Sequence, residues 1–413
     1  MNPQPRIYVS GAFCFGESVA VNNLLAAKYP AVILWSLHVN AFGDLVMNNT
    51  QIVSNGVYAE AQPMDLPSRL ATLYKNGISV IFSVGAGGTS DFTNIENLIK
   101  QYGTGSNNPL YINFAALKSA MVNAGGNIDA IDFDNEDNLQ SGVMVDFASM
   151  LADIGYSSVT FCPYSSLSVW NDTLKQLIKK FGADFVSALH LQCYSGGAYN
   201  DPQQWGQMIA EAGSSALLIP GLATNQAYPG TWWQNSSKQP GQSVKEYPSV
   251  AMYGGGDWSS MLRQGNYASA NDAMASCIGG ETFFFYCNQP LNLGPGKVYN
   301  TGDAVFFGGI PQWGSAPQCN GYALSNGCSN IYNANGACPN DLQQQYSEWA
   351  SGKFPVNGGF IWMYDSIVDC VLSGPCGEGG DDVATVATAY KNAIVSGLSL
   401  SLSDSLKVGQ LKY

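Results

Sequence analysis

Two kinds of apolar patterning alternate along the chain. Short, near-continuous apolar runs rich in β-branched residues predict strands at 6–13 (RIYVSGAF), 31–39 (AVILWSLHV), 79–87 (SVIFSVGAG), 130–137 (AIDFDNED), 158–164 (SVTFCPY), 188–194 (ALHLQCY), 216–223 (ALLIPGLA) and 358–365 (GGFIWMYD). Between them lie stretches of helical spacing, such as LPSRLATLYKNG, NFAALKSAMVNAGG, VDFASMLADIG and LKQLIKKFG, several of which stop at glycine as helix ends do. A last helix is predicted at ATVATAYKNAIVSG. Apolar strands alternating with helices predict a parallel sheet covered by helices. Eight such units are the count of an α/β fold of the (β/α)8, or TIM, barrel type.

The spacing fails once. About 130 residues separate the seventh and eighth predicted strands, too many for one connection. The stretch 224–350 is rich in Gly, Asn and aromatic residues and holds strand-like pieces of its own, ETFFFYCNQ and VYNTGDAVFFGG. It is read as an inserted subdomain between strands seven and eight, on the face whose loops form barrel active sites. Residues 1–223 and 351–413 then make up the barrel.

The fourth strand is unusual. DAIDFDNED, residues 129–137, places five carboxylates in nine residues. Side chains alternate along a strand, so Ile131 and Phe133 share one face and Asp132, Asp134 and Glu136 the other. With the apolar pair under the helices, the three acids point into the barrel, Glu136 nearest the C-terminal mouth. Carboxylates stacked roughly 7 Å apart in a partly dry site cannot all stay ionised, so at least one holds or shares a proton near neutral pH. A protonated carboxyl at the rim is what a general acid needs. An acidic loop edge is the plainer alternative. A calcium loop lacks its central glycine and its closing glutamate here.

Composition narrows the partners. Only 11% of residues are charged while 46% are hydrophobic, so Ser, Asn, Gln, Thr, Gly and Tyr must finish the surface. That suits an extracellular protein handling neutral, hydroxyl-rich molecules. The net charge of −13, with no basic run, argues against nucleic acid and anionic membranes. No apolar stretch reaches about 18 residues.

Of ten cysteines, Cys14, Cys162 and Cys193 sit in or beside apolar runs and fit buried thiols. The other seven follow residue 276, mostly in Gly/Asn/Ser-rich loops, which points to disulfides and an oxidising compartment, with Cys370–Cys376 a natural short loop. Zinc is disfavoured, since no CxxC occurs there and both histidines, His38 and His190, are distant in sequence. Sequons begin at Asn48, Asn171 and Asn235 but are common by chance. The start, MNPQPRIYVS, has no basic n-region and apolar h-region, so secretion implies a removed leader or another route.

Asp129, Asp132, Asp134 and Glu136 form D-x-x-D-x-D-x-E, which resembles the signature of glycoside hydrolase family 18, the chitinases and their relatives. The family usually has Gly where Ala130 stands. SVGAGG (83–88) resembles its S-x-G-G segment with one residue inserted; a dinucleotide GxGxxG is broken at Ser90. LQCYS, ending strand six, is similar to the Q-x-Y of hevamine-like class III chitinases, which maps Gln192 and Tyr194 onto substrate-holding positions. GGFIWMYD resembles the Gly-Gly…Trp ending whose tryptophan floors the sugar site, although Trp362 comes one residue early and a core tryptophan is the alternative. The resemblance covers roughly 6–223 and 355–398.

The resemblance implies a retaining glycosidase without cofactor or metal, in which the substrate's own acetamido oxygen is the nucleophile. Glu136 would protonate the glycosidic oxygen and later activate water; Asp134 would hold the acetamido N–H; Asp132 would share a proton with Asp134. Tyr194 would donate to the acetamido carbonyl oxygen and Trp362 would stack beneath the ring, with Gln192 and Asp129 also holding substrate. No histidine is expected in acid–base work. The implied partner is chitin or another N-acetylglucosamine-containing glycan, and a monomer is expected. The motif does not separate a chitinase from an endo-β-N-acetylglucosaminidase acting on N-glycan cores. A lectin or inhibitor on the same barrel, or a storage or toxin-associated protein, are alternatives from other classes. In the insertion, KVYNTGDAVFFGG (297–309) followed by Trp313 resembles a small chitin-binding hairpin, or is an ordinary Gly-Asp turn. One or two of Trp232, Trp233, Tyr253 and Trp258 are expected on the cleft wall.

Overall fold

The computed structural model describes residues 2–16, 18–194, 197, 200–224, 281–287, 291–292, 298–299, 304–310, 328–333, 339–372 and 382–410. The chain begins with β1 (Gln4–Val9), α1 (Gly11–Cys14), α2 (Val19–Ala27) and β2 (Ala31–Val39), followed by a small meander, β3 (Leu45–Met47), β4 (Thr50–Ser54) and β5 (Val57–Tyr58). Next come α3 (Leu66–Lys75), β6 (Ser79–Val84), α4 (Asp91–Tyr102), α5 (Pro109–Asn123), β7 (Ala130–Phe133), α6 (Ser141–Ile154) and β8 (Val159–Phe161). Then follow α7 (Leu167–Phe181), β9 (Val186–Gln192), α8 (Pro202–Ala212) and β10 (Leu217–Ala223).

Eight of the strands pair in parallel in the order β1, β2, β6, β7, β8, β9, β10 and finally β16 (Gly358–Trp362). β16 pairs with both β10 and β1, which closes the barrel. The near-continuous apolar runs follow from this closure, because each strand is covered on both faces. Ile131 and Phe133 lie in the layer between barrel and helices, where Phe133 stacks on Phe147 of α6 at 5.2 Å. Ala130, Ile33, Ile81 and Phe360 fill the interior.

Three local departures from the sequence pattern have physical causes. The SGAF tail of the first predicted strand turns into α1, because the carboxylate of Asp365 accepts the backbone N–H groups of Ser10 (2.8 Å) and Ala12 (2.7 Å). β7 stops at Phe133, since the Asn135 side chain bonds the Asn138 carbonyl (2.7 Å) and N–H (3.0 Å) and folds the chain over. β3 to β5 extend the sheet in antiparallel fashion from the end of β2, and their turns use left-handed Asn48, Asn49, Asn55 and Gly56.

Between β10 and β16 the chain forms β11 (Glu281–Cys287), β12 (Leu291–Asn292), β13 (Val298–Tyr299), β14 (Ala304–Ile310), β15 (Cys328–Asn333) and α9 (Pro339–Ala350). β14, β11 and β15 make one antiparallel sheet in that order, and β12 and β13 a two-stranded one. α9 belongs to the barrel layer: Tyr346 is buried and donates its hydroxyl to the Pro220 carbonyl of β10 at 2.6 Å. The final helices are α10 (Tyr364–Leu372) and α11 (Val383–Gln410). Among the described residues no helix is long and apolar enough to cross a membrane.

Candidate active site

Inside the barrel, position along a strand sets height. The inward side chains of β7 and the turn beyond it rise as Ala130, Asp132, Asp134 and Glu136, and those of β9 as Ala188, His190, Gln192 and then Tyr194. The two ladders meet rung by rung. His190 Nδ1 lies 2.7 Å from Asp132 Oδ1, and Gln192 Nε2 lies 3.1 Å from both Asp134 Oδ1 and Glu136 Oε1.

Asp132 is fully buried, and its two oxygens accept four hydrogen bonds. Oδ2 takes the hydroxyls of Tyr8 (2.9 Å) and Ser83 (2.8 Å); Oδ1 takes Thr160 (2.6 Å) and His190. Register explains the convergence, since Ser83, Asp132 and Thr160 are direct partners across β6, β7 and β8. Burial opposes the charge most strongly, yet the imidazole and the hydroxyl donors outweigh it and hold Asp132 below the usual carboxylate range. Four hydrogen-bonding partners around its two oxygens suit a carboxylate, which can only accept. These donors and the lowered range favour the carboxylate form of Asp132.

Asp134, one rung up, has the opposite balance. It is 3% exposed, with Trp35 Nε1 donating to Oδ2 at 2.9 Å and Gln192 to Oδ1. Burial first, then the charge of Glu136, drive its carboxyl well above the usual range, against the Trp35 bond. Both causes favour the neutral form of the Asp134 carboxyl. Glu136 is half-buried at the mouth.

The turn after β6 makes room for these acids. A Cβ on Gly85 would stand 2.2 Å from the Asp134 carbonyl oxygen, and its φ of +102° is left-handed. One on Gly87 would lie 2.9 Å from Glu136 Oε2. The SVGAGG segment is thus shaped by the acids beside it.

Aromatic rings roof the interior. Trp362 stacks on Tyr194 (5.8 Å, 23°) and meets Trp35 edge-on at 4.8 Å. Tyr194 is 7% exposed, and burial pushes its hydroxyl well above the ordinary range, so it is a donor.

Six of the residues singled out from sequence converge here: Asp132, Asp134, Glu136, Gln192, Tyr194 and Trp362. Asp129 does not. It sits below the N-terminal end of β7, where its carboxylate accepts the Val80 N–H at 2.9 Å and a bond from Asn127, so it ties β7 to β6 instead of holding substrate. Asp137 caps α4 through the N–H groups of Phe92 and Thr93. Trp313, Trp232, Trp233, Tyr253 and Trp258 lie outside the described residues, as do the side chains of the seven cysteines after residue 276. Cys14, Cys162 and Cys193 are buried free thiols.

Sequence reasoning missed Tyr8, Trp35, Thr160, His190 and Arg6, which come from strands read only as apolar runs. His190, distant in sequence from the later cysteines, bonds an acid of the motif. Its signal was available in the period-two ladder of β9. Among the described residues no cluster of His, Cys, Asp and Glu could hold a metal ion.

Fold and site define a (β/α)8 barrel with a ladder of three acids under an aromatic roof. No family model matches the chain, and no curated protein matches it in sequence. Among solved structures it is similar to the spore cortex-lytic enzyme SleL of Bacillus cereus, at 8% identity and a TM-score of 0.45, over 94% of this chain and 74% of that one. Chitinase ChiA74 of Bacillus thuringiensis matches at 11% identity and a TM-score of 0.44, over 97% and 70%. A chitinase-like lectin of tamarind matches at 14% identity and a TM-score of 0.33, over 54% and 81%. Likenesses this distant identify neither a family nor an activity, and the chemistry rests on the chain's own residues.

Proposed function

We propose that this chain is a glycoside hydrolase that cleaves β-1,4-linked N-acetylglucosamine by a retaining, substrate-assisted route. One observation carries the reading: a half-buried carboxyl, Glu136, stands at the barrel mouth, joined through Gln192 to the buried Asp134, whose carboxyl is raised well above its usual range by burial. In the reactive state the pair is proposed to hold one proton. When sugar enters, that proton belongs on Glu136, which delivers it to the glycosidic oxygen as the bond to the anomeric carbon breaks. The acetamido oxygen of the same sugar forms the new bond to that carbon.

Asp134, left as an anion, accepts the acetamido N–H and offsets the charge of the oxazolinium ion. The Tyr194 hydroxyl donates to the acetamido oxygen, and Trp362 supports the ring's apolar face. Glu136, now a carboxylate, takes a proton from water, which attacks the anomeric carbon and restores the acetamido group with retained configuration. Asp132 stays ionised throughout and takes no proton.

Chitin, chitooligosaccharides and N-glycan cores all carry the required acetamido group, and chitin-type chains are the leading substrate. An extracellular setting, with the later cysteines paired, belongs to the same proposal and fits the low charge. The test is hydrolysis of fluorogenic chitobioside and chitotrioside by the wild type and Glu136→Gln. Turnover that falls roughly a hundredfold to ten-thousandfold in the variant supports the reading. Binding to chitin without turnover in either protein would favour a lectin, and equal turnover in both would remove Glu136 from the role. Release of high-mannose glycans from a denatured glycoprotein, without action on chitotrioside, would move the substrate to N-glycan cores.

A further inference from the structure

One rung below the acids' floor, Arg6 of β1 enters the barrel from its N-terminal end, and its Nη1 lies 2.6 Å from His190 Nε2. A guanidinium can only donate, so Nε2 accepts and carries no proton. On the other side of the ring, Nδ1 faces the Asp132 carboxylate at 2.7 Å and must donate. Both neighbours specify one tautomer. A protonated imidazole would set an N–H against the guanidinium, and the other neutral tautomer would set lone pair against lone pair at Asp132. The result is a linear chain, Arg6 to His190 to Asp132, with a cation at one end, an anion at the other and a neutral ring between.

We propose that Arg6, acting through His190, is a positioning residue: it locks the imidazole as the neutral Nδ1–H donor, which fixes Asp132 as an anion and confines the site's exchangeable proton to Asp134 and Glu136. The consequence for turnover rests on the glycosidase reading, whereas the consequence for protonation does not. The titratable groups facing His190 are few. β1 supplies Arg6 and Tyr8, β7 supplies Asp132, and the turn after β8 supplies Cys162 beside the Tyr8 hydroxyl at 3.3 Å. Phe360 of β16 meets the ring edge-on at 5.9 Å and carries no charge. Burial pushes the Tyr8 hydroxyl and the Cys162 thiol up, so both stay neutral. Burial lowers the imidazole's affinity for a proton; Asp132 opposes this and Arg6 reinforces it, with a net lowering. Arg6 itself, brought down to about 10 by burial, keeps its charge at neutral pH.

Without Arg6 the imidazole would face only an anion and would pick up a proton as the pH falls. The donor to Asp132 would then depend on pH. The chain has two histidines, so imidazole nitrogen NMR of the 15N-histidine-labelled protein gives two spin systems, assigned with His38→Gln. From about pH 5 to pH 8, wild-type His190 should remain a neutral Nδ1–H ring, while in Arg6→Met it should titrate. In the same range, kcat/KM of Arg6→Met on chitotrioside should gain an ionisation or shift its profile by roughly one pH unit. Arg6→Lys, which keeps charge and donor, should return both readouts towards wild type.

A wild-type His190 that titrates or carries its proton on Nε2 would overturn the proposal, as would an Arg6→Met protein with unchanged signals and profile. If Arg6→Met does not fold, the wild-type tautomer and Arg6→Lys decide. If the wild type cleaves no acetamido sugar, the glycosidase reading falls, and the NMR readout still judges Arg6.

Discussion

The side-chain nitrogen of Gln192 lies 3.1 Å from Glu136 Oε1 and the same distance from Asp134 Oδ1. One amide group thus bridges the carboxyl that meets solvent and the one that does not. Replacing it with methionine keeps the volume but removes the N–H group. Gln192→Met should lower kcat/KM on chitobiosides by about ten- to a hundredfold, on the scale of losing a preorganised donor. Steady-state kinetics with circular dichroism as a fold control make the check; unchanged kcat/KM would separate the amide from the chemistry.

Burial first, then the charges of Glu136 and Asp132, raise the Asp134 carboxyl well above its ordinary range. In the unfolded chain it ionises near pH 4. A raised carboxyl contributes stability that is present below the unfolded pKa and is lost as pH rises through the folded one. Asp134→Asn removes that loss. The variant's melting temperature should exceed the wild type's at neutral and alkaline pH, with the gap closing towards pH 4. A gap that widens on acidification would mean that Asp134 is an anion in the fold.

Gly85 combines a left-handed φ of +102° with a Cβ position 2.2 Å from the Asp134 carbonyl oxygen. Neither can be relieved by a side-chain rotation, because the obstacle is backbone. Gly85→Ala should cost about 2 kcal/mol or more. It should also reduce turnover more than stability explains, since the displaced atom belongs to Asp134. Urea unfolding and kinetics below the transition measure the two effects, and a variant as stable as wild type would place the strain elsewhere.

Trp362 contacts Trp35, Tyr194 and Tyr8, with ring centroids 4.8, 5.8 and 5.4 Å away. Part of the indole remains accessible. Trp362→Ala should raise KM for chitotrioside roughly tenfold, the scale of one lost sugar–aromatic contact or aromatic pair. Trp362→Phe should recover part of it. Isothermal titration with chitooligosaccharides and the Glu136→Gln protein would isolate binding from turnover.

How much of this was legible in the sequence depends on whether a pattern was local. DAIDFDNE announced its inward acids because alternation is a property of one strand, and Ile131 and Phe133 do pack under the helices. The relay behind Asp132 was not legible, because Arg6 and His190 lie 184 positions apart and meet only when the barrel closes. Asp129 was misplaced for a related reason. It belongs to the spacing of the motif, but one residue before β7 it lies at the opposite end of that strand from Glu136. The meander of β3 to β5 was legible and overlooked: Asn55-Gly56 between alternating apolar residues is a strong hairpin signal. The short α1 was not, since it depends on a carboxylate 355 positions from Ser10.

The strand that closes the barrel is also the last of its eight to be made. β16 pairs on one side with β1, whose residues 4–7 meet 358–361, and on the other with β10. At roughly 5–20 residues per second, synthesis runs on the order of ten seconds between β10 and β16. Over that interval a seven-strand sheet waits with two open parallel edges, at β1 and β10, each a template for another chain. The donors to Asp132 are by then all synthesised. On the ribosome, the acids can find their partners before the wall around them is complete, and the hazard of this architecture lies in the seam.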